Sequence, residues 1–276
     1  MTNYCYFNGK IIPEDKAKID LRDIGLLRGY GIFESLRTYN GKPFLLLAHY
    51  NRFKKSAQSL NIKLPVSFKI LQKIISQLLQ KNKFSEASIK IVLTGGIARG
   101  LKYNPSSPTF FVLTEKLPGL PKSIYGSGVK LITQSFQRDL PKIKSTNYLF
   151  TVSQNNRLKK ENAFELLFIN GDKILESSTG NFFMFLGDDL ITPKENILPG
   201  VTRDFILKIA SKKFKVKERE IEQKELENAD ECFITGSHKE IIPVIQIDNK
   251  KIGNAKVGPK TKELMRLYKS FTLRLS

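Results

Sequence analysis

Apolar residues recur at helical spacing over 68–79, where Ile70, Leu71, Ile74, Ile75, Leu78 and Leu79 stack at i, i+4 and polar residues fill the rest of the turn. The same period predicts helices over 49–60, with Phe53, Ala57 and Leu60 inward, and over 148–160. It predicts two more over 201–213, with Phe205, Ile206, Ile209 and Ala210 inward, and over 258–267. Short β-rich runs predict strands at 4–7, 88–93, 109–114, 129–133, 182–186 and 190–192. Two Asn-Gly pairs tolerate the positive φ of a tight turn and predict hairpins. One joins 34–39 to 42–47 across Asn40-Gly41, and the other joins 164–169 to 173–176 across Asn170-Gly171.

The 276 residues suffice for roughly two domains at about 150 residues each. The first stretch mixes sheet and helices, an α+β unit. After the Pro/Gly cluster Leu117, Pro118, Gly119, Leu120, Pro121 the pattern turns strand-rich, which predicts a boundary there. The reading is an α/β chain with a smaller domain over 1–118, a linker over 119–125 and a larger domain over 126–276. Neither a repeat of fixed period nor a low-complexity tract interrupts it.

Composition narrows the function. Hydrophobic residues make up 41% of the chain, and no apolar run approaches the roughly 18 residues a membrane-spanning helix needs. The expectation is a globular protein without membrane partners. The first ten residues lack the pattern of a secretory signal, and Cys5 and Cys232 cannot make a disulfide framework, so the expected compartment is the cytoplasm. The net charge of +20 raises the question of nucleic acid. Only 11 of the 46 basic residues are arginines, the lysines are dispersed, and the densest run, 208–217, lacks the aromatic interleaving that would stack bases, Phe214 being its single aromatic. Nucleic acid is therefore not the expected partner.

Candidate chemistry is sparse on simple motifs. His49 and His238 are isolated and no Cys or Asp cluster supports them, so no metal site is expected. No Gly-x-Ser-x-Gly elbow is present. Gly25, Gly29 and Gly31 fail as a dinucleotide fingerprint because a strand follows them. A better anion site is Leu198, Pro199, Gly200, Val201, Thr202, Arg203, where a turn opens into a helix whose first N–H groups lack intrahelical partners.

Six segments in order carry a resemblance over nearly the whole chain. They are 23–31 running into Phe33, Glu34, Ser35, Leu36, Arg37; then 49–53; then 141–148, Pro-Lys-Ile-Lys-Ser-Thr-Asn-Tyr; then 176–183; then 198–203; and then 233–240, Phe-Ile-Thr-Gly-Ser-His-Lys-Glu. This order resembles the class IV, or fold-type IV, pyridoxal phosphate enzymes, which include D-amino acid transaminases, branched-chain aminotransferases and aminodeoxychorismate lyases. The resemblance implies pyridoxal 5'-phosphate held between a smaller α+β domain and a larger strand-rich one, in a homodimer that acts on amino acids and 2-oxo acids.

It also implies roles. Lys144, rather than Lys142, becomes the amine that forms a Schiff base with the cofactor aldehyde and moves the α-proton. Glu176 becomes the carboxylate beside the pyridine nitrogen, keeping the ring able to accept electron density. Arg52 reaches the phosphate, Val201 and Thr202 give it N–H groups, and Ser237 and His238 form a turn with further donors near phosphate and substrate. His49 caps or packs at the helix of Arg52.

Substrate choice rests on Arg28, Arg37, Lys90 and Arg99. Arg28 and Arg37 resemble the cations near the family's substrate pocket, where guanidinium forks can hold carboxylates. Branched-chain enzymes commonly show Tyr-x-Arg where this chain has Ser88, Ile89, Lys90, and the loop from Thr94 through Arg99 resembles both the transaminase and the lyase loops. The run is most similar to D-amino acid transaminases with Arg28 at the α-carboxylate. Branched-chain aminotransferase stands second and the lyase third.

Overall fold

The computed structural model of the protein describes residues 3–274. They divide into two compact units, one holding the chain through Pro118 with Ile143–Tyr148, the other Gly119–Lys142 with Leu149–Arg274. The segment around Lys144, which the sequence pattern groups with the second domain, thus packs with the first unit. Residues 119–125 belong to the second unit, where they lead into the short helix at Ser123–Ser127.

The first unit is a six-stranded antiparallel sheet of β1 (Tyr4–Phe7), β2 (Lys10–Pro13), β3 (Gly31–Tyr39), β4 (Lys42–Pro43), β5 (Ala87–Thr94) and, after the hairpin β6 (Ala98–Arg99) and β7 (Lys102–Tyr103), β8 (Thr109–Lys116). The order is β2-β1-β8-β5-β3-β4. A short α1 (Ile24–Arg28) precedes β3, and α2 (Leu46–Ser59) and α3 (Phe68–Asn82) lie between β4 and β5 in the chain. Phe53 of α2 and Leu71, Ile75 and Leu78 of α3 share one core with Leu36, Ile89 and Ile91 of the sheet. Ser67 starts α3 by accepting a hydrogen bond from the Ile70 N–H, and Lys83 ends it in the left-handed region at φ 58°.

Two expectations in this unit change. Ile70 is 50% exposed, because at 100° per residue it lies at the edge of the stripe centred on Leu71 and Leu78. The strand expected over 42–47 is confined to Lys42–Pro43. Pro43 has no N–H for a ladder, Leu45 adopts φ 54°, and the leucines that follow begin α2.

The second unit carries the helices α4 (Ser123–Ser127), α5 (Leu149–Ser153), α6 (Asn155–Lys160), α7 (Val201–Ala210) and α8 (Pro259–Leu273). Its ten-stranded sheet comprises β9 (Val129–Ser135), β10 (Glu165–Asn170), β11 (Lys173–Ser177), β12 (Gly180–Leu186), β13 (Asp189–Thr192), β14 (Lys215–Glu218), β15 (Ile221–Glu222), β16 (Glu231–Gly236), β17 (Glu240–Ile247) and β18 (Lys250–Lys251). Because β11 pairs with β12 as well as with β10, the ladder β12-β16-β17-β9-β10-β11 closes on itself. Closure leaves few edges and fixes the ends of β11, β12 and β16 beside one another. Phe182, Met184, Ile234, Ile242 and Leu167 fill the core of this unit.

The single helix expected over 148–160 is two, broken at Gln154. Ser153 turns its hydroxyl back onto the Phe150 carbonyl at 2.7 Å, and the run Ser153 to Asn156 offers the backbone competing partners. The helix from Val201 stops at Ala210, three residues short of the expected end, and the last helix runs beyond its expected end to Leu273. Among the described residues no helix is long and apolar enough to cross a membrane.

Candidate active site

Lys144 lies in an extended segment fastened to the start of β3. The Lys144 carbonyl accepts from the Phe33 N–H at 2.9 Å, the Thr146 N–H donates to the Gly31 carbonyl at 2.9 Å, and Ser145 bridges to Ile32. Thr146 Oγ1 donates to the Gly29 carbonyl at 3.0 Å. A Cβ on Gly31 would come 3.2 Å from Thr146 Oγ1 and 3.1 Å from the Leu93 carbonyl, so any larger residue there would press on the docked segment. The segment fills the stretch of β3 that the two-residue β4 leaves unpaired. Held this way, Lys144 Nζ stands 4.4 Å from the Phe33 ring centroid. Lys142, by contrast, is solvent-exposed and pairs loosely with Glu195 at 3.5 Å.

Beside that lysine the core of the first unit contains a carboxylate. Glu34 follows the alternation that buries Ile32 and Leu36, so its side chain points inward and is fully buried. Arg52 forks onto it, Nε to Oε1 at 2.8 Å and Nη2 to Oε2 at 2.7 Å, and His49 Nδ1 lies 2.6 Å from Oε2. Burial alone would raise the Glu34 pKa, but the Arg52 charge and the bonds from Arg52 and His49 outweigh it and bring it down to about 2. Desolvation lowers the His49 pKa; Glu34 opposes this, while the Arg52 and Lys144 charges add to it. His49 is thus a neutral ring that packs and hydrogen-bonds beside Arg52, as expected, and donates from Nδ1 to the carboxylate.

In the second unit, Glu176 on β11 is buried with both oxygens engaged. Arg138 donates to Oε1 from Nε at 3.0 Å and Nη2 at 2.6 Å, and the Leu198 N–H donates to Oε2 at 3.0 Å. Arg138 is itself placed by its Nη2 bond to the Pro141 carbonyl. Asn181 Nδ2 donates to the Leu198 carbonyl, and a Cβ on Gly200 would overlap Asn181 Oδ1 at 1.9 Å. That close approach sets the start of α7, where Gly200 occupies the N-cap without any side-chain cap and Val201 and Thr202 are buried. Their N–H groups belong to the first turn and have no intrahelical acceptor.

Ser237 and His238 sit in the three-residue turn between β16 and β17, where Gly236 pairs with Glu240. The preceding Thr235 is buried and its Oγ1 has no hydrogen-bond partner. A Cβ on Gly180 would strike the Thr235 carbonyl at 2.1 Å. The turn is therefore pressed against the β11–β12 turn.

The substrate candidates are placed differently from one another. Arg28 is exposed at the C-terminal end of α1, its one hydrogen bond among the described residues going to the Leu27 carbonyl at 2.8 Å. Arg37 is tied down, with Nη2 3.2 Å from Glu86 and its guanidinium carbon 4.3 Å from the Tyr39 ring centroid. Lys90 is exposed on β5 opposite Ser35, and Arg99 is exposed on the β6–β7 hairpin. Asp23, at the head of α1, is structural: it accepts from the Gly25 N–H at 2.7 Å and from Thr94 and Thr109 hydroxyls. Among the described residues no cluster of three or more His, Cys, Asp or Glu side chains could hold a metal ion.

Comparison with known proteins places the chain in a family. The amino-transferase class IV family model matches residues 31–247. A "Putative branched-chain-amino-acid aminotransferase" of Methanocaldococcus jannaschii is 34% identical over 96% of this chain and 94% of its own. A D-alanine aminotransferase of Staphylococcus aureus is 32% identical over 96% of both. The T.th. branched-chain amino acid aminotransferase, solved with pyridoxamine 5'-phosphate, superposes with a TM-score of 0.91 at 26% identity, covering 99% of this chain and 94% of that one. The chain belongs to the class IV aminotransferase family.

Enzymes of this class depend on pyridoxal phosphate. The residues present fit such a group, each unit by itself offering part of what it requires. The first offers a fixed lysine amine and an arginine whose fork is already oriented. The second offers a buried carboxylate with a fixed direction, an uncapped helix start and the orphaned Thr235 hydroxyl, a buried donor that lacks a partner within the protein.

Sequence reasoning missed Arg138, Asn181, Thr235 and the partnership of Glu34 with Arg52. Glu34 left a readable signal, since a charged residue in the inward phase of a strand must find a buried cation. Arg138 left none, because nothing in its neighbourhood distinguishes it from other surface arginines.

Glu34→Gln keeps the shape and removes the charge, leaving Arg52 buried against a neutral amide. The expected cost is about 3 kcal/mol, measured by denaturant unfolding at neutral pH. With the folded pKa below the unfolded value near 4.5, the stabilisation is present above pH 4.5 and lost as pH falls toward 2. Parent and variant should therefore converge in stability over that acid window, and a gap that persists at pH 2 would contradict the assignment.

Proposed function

We propose that this protein is a pyridoxal phosphate-dependent transaminase that moves amino groups between amino acids and 2-oxo acids and favours D-amino donors. The observation that carries the transaminase reading is Lys144, docked by backbone bonds onto β3 with its amine beside Phe33. The cofactor, when bound, supplies an aldehyde to take up the amino group and a ring to accept electron density from the α-carbon. Lys144 holds it and carries the α-proton. Glu176, kept in place by Arg138 and the Leu198 N–H, receives the hydrogen bond of the ring nitrogen. Arg52 and the N–H groups of Val201 and Thr202 hold the phosphate, with Ser237 and His238 adding donors.

The handedness reading rests on Arg28. Its guanidinium is exposed and spends only one bond on its neighbour, whereas Arg37 is engaged by Glu86 and Tyr39. A guanidinium fork pins a planar carboxylate with two bonds, which the ammonium of Lys90 cannot do. The side that holds the α-carboxylate decides which enantiomer turns its α-hydrogen toward the lysine. A branched-chain L-aminotransferase is the second reading, favoured by the identity to the Methanocaldococcus relative.

The protein is also inferred to act as a homodimer. Leu21, Leu26, Leu27 and Ile97 are exposed on and beside α1, an apolar cluster that a second copy could cover. Light scattering should give about twice the 31.5 kDa of one chain, and a monomer at micromolar concentration would remove this inference.

Purified protein should carry the cofactor, and borohydride reduction followed by a tryptic map should place the label on Lys144. A label on Lys142, or no cofactor after reconstitution, would overturn the functional reading.

An amino-donor screen with 2-oxoglutarate and pyruvate, using both enantiomers, should show D-alanine or D-glutamate as the better donors. Arg28→Ala should lower kcat/KM for them roughly ten- to a hundredfold, the worth of one hydrogen-bonded charge contact. Turnover of L-leucine without any D-donor would establish the second reading. Pyruvate release from aminodeoxychorismate with neither enantiomer transaminated would make the protein a lyase.

A further inference from the structure

The β16–β17 turn is held from below by a buried ion pair that the reaction as described does not use. Lys239 is the last residue of the turn, directly after Ser237 and His238, and it is 7% exposed although a lysine. Its Nζ donates to Glu165 Oε1 and, at 2.8 Å, to Thr179 Oγ1. Thr179 in turn donates to Glu165 from its hydroxyl at 2.7 Å and from its N–H at 3.3 Å. Burial pushes the Glu165 pKa upward, but the Lys239 charge and the bonds from Lys239 and Thr179 outweigh it, so the carboxyl lies below its ordinary range. The lysine stem lies across Gly236, where a Cβ would meet Lys239 Cε at 2.9 Å. The Lys239 carbonyl accepts from Tyr125 of α4 at 3.3 Å.

Three chain turns meet at this pair: the start of β10 at Glu165, the β11–β12 turn at Thr179, and the β16–β17 turn at Lys239. A buried lysine and glutamate recover their desolvation cost poorly, and apolar residues of the same volume commonly hold a core as well or better. What the pair provides that apolar residues would not is direction. A charged bond of fixed geometry sets where the turn stands, and with it the donors of Ser237 and His238 and the unpartnered Thr235 hydroxyl two positions earlier.

We propose that Lys239 is a positioning residue for anion binding: through Glu165 and Thr179 it fixes the Ser237–His238 turn in the orientation that receives a phosphate or carboxylate group. This rests on the functional reading above. The anion can be the phosphate of the cofactor or a carboxylate of the substrate, which share the same need for oriented donors.

The test compares the parent holoenzyme with Lys239→Met and with the double variant Lys239→Met/Glu165→Leu. The double variant removes both buried charges, so it remains folded if stranding Glu165 alone proves too costly. Three quantities are read: the Kd of pyridoxal phosphate for cofactor-stripped protein, competition of that binding by inorganic phosphate, and the KM and kcat for donor and acceptor. If the turn receives the phosphate, both variants should weaken pyridoxal phosphate and inorganic phosphate binding by about tenfold or more. If it receives the substrate carboxylate, cofactor affinity should stay parental while KM rises by about that factor with kcat within about twofold. Parental values for all of these in a folded double variant, with only the melting temperature altered, would overturn the proposal. A parent protein that binds no cofactor would overturn the functional reading and this assignment with it, whereas a parent that binds and a variant that matches it removes the role of Lys239 alone.

Discussion

A carboxylate buried in an apolar core must be matched by a cation, and in the first unit that requirement organises everything near Lys144. Glu34 cannot leave the inward phase of β3 without turning Ile32 and Leu36 outward. Arg52 must therefore reach it from α2, which fixes the rotation of that helix about its axis and brings His49, three residues earlier and on the same face, to the same oxygen. The fork leaves the guanidinium plane with little freedom. An arginine so held has its direction set by the protein alone, before any ligand is present. The Lys144 charge is close enough to act on His49, which places the lysine within the same electrostatic neighbourhood.

The second unit solves the same problem by different means. Glu176 is fixed by Arg138 from the β9–α5 connection and by the Leu198 N–H, while Asn181 and Gly200 lock that loop to β12. Here the closed ladder does the work that α2 does in the first unit. β11 pairs with both β10 and β12, so the carboxylate sits on a strand with no free edge. Glu34 with Arg52, Phe33 with Lys144 and Glu176 with Leu198 thus each join residues of two motifs.

Much of the fold was legible because periodicity reports burial directly. The helices around Phe53 and Ile75 and most of the long strands follow from it, and the two Asn-Gly turns from their residues, but β16 and β17, at the centre of the second sheet, are not among the expected strands. The failures occur where local backbone chemistry competes with pattern: Pro43 and Leu45 end a strand that hydrophobicity alone would extend, and Ser153 with its polar neighbours breaks a helix. The family resemblance identified Lys144, Glu176, Arg52 and the α7 start as candidates, but the residues that orient them were hidden. Arg138, Asn181 and Lys239 act across 38, 17 and 74 positions of sequence respectively. No local pattern records such distances, and a lysine among so many others carries no mark of being buried.

The excess of basic residues takes on a different meaning once their partners are known. Arg52, Arg138, Arg203 and Arg37 each hold a carboxylate, and the first three also lie against buried or half-buried structure where a planar fork outperforms a point charge. The surface lysine pairs, such as Lys250 with Glu227, are worth little to stability. Those arginines serve orientation, whereas Arg22, Arg28, Arg99, Arg157, Arg266 and Arg274 are exposed, and most of the basic residues are lysines. Lys239 departs from that pattern, a lysine set on a buried carboxylate where Glu34 and Glu176 are held by arginines. Its single Nζ reaches both Glu165 and Thr179 from within the turn, which ties two chain segments to one atom.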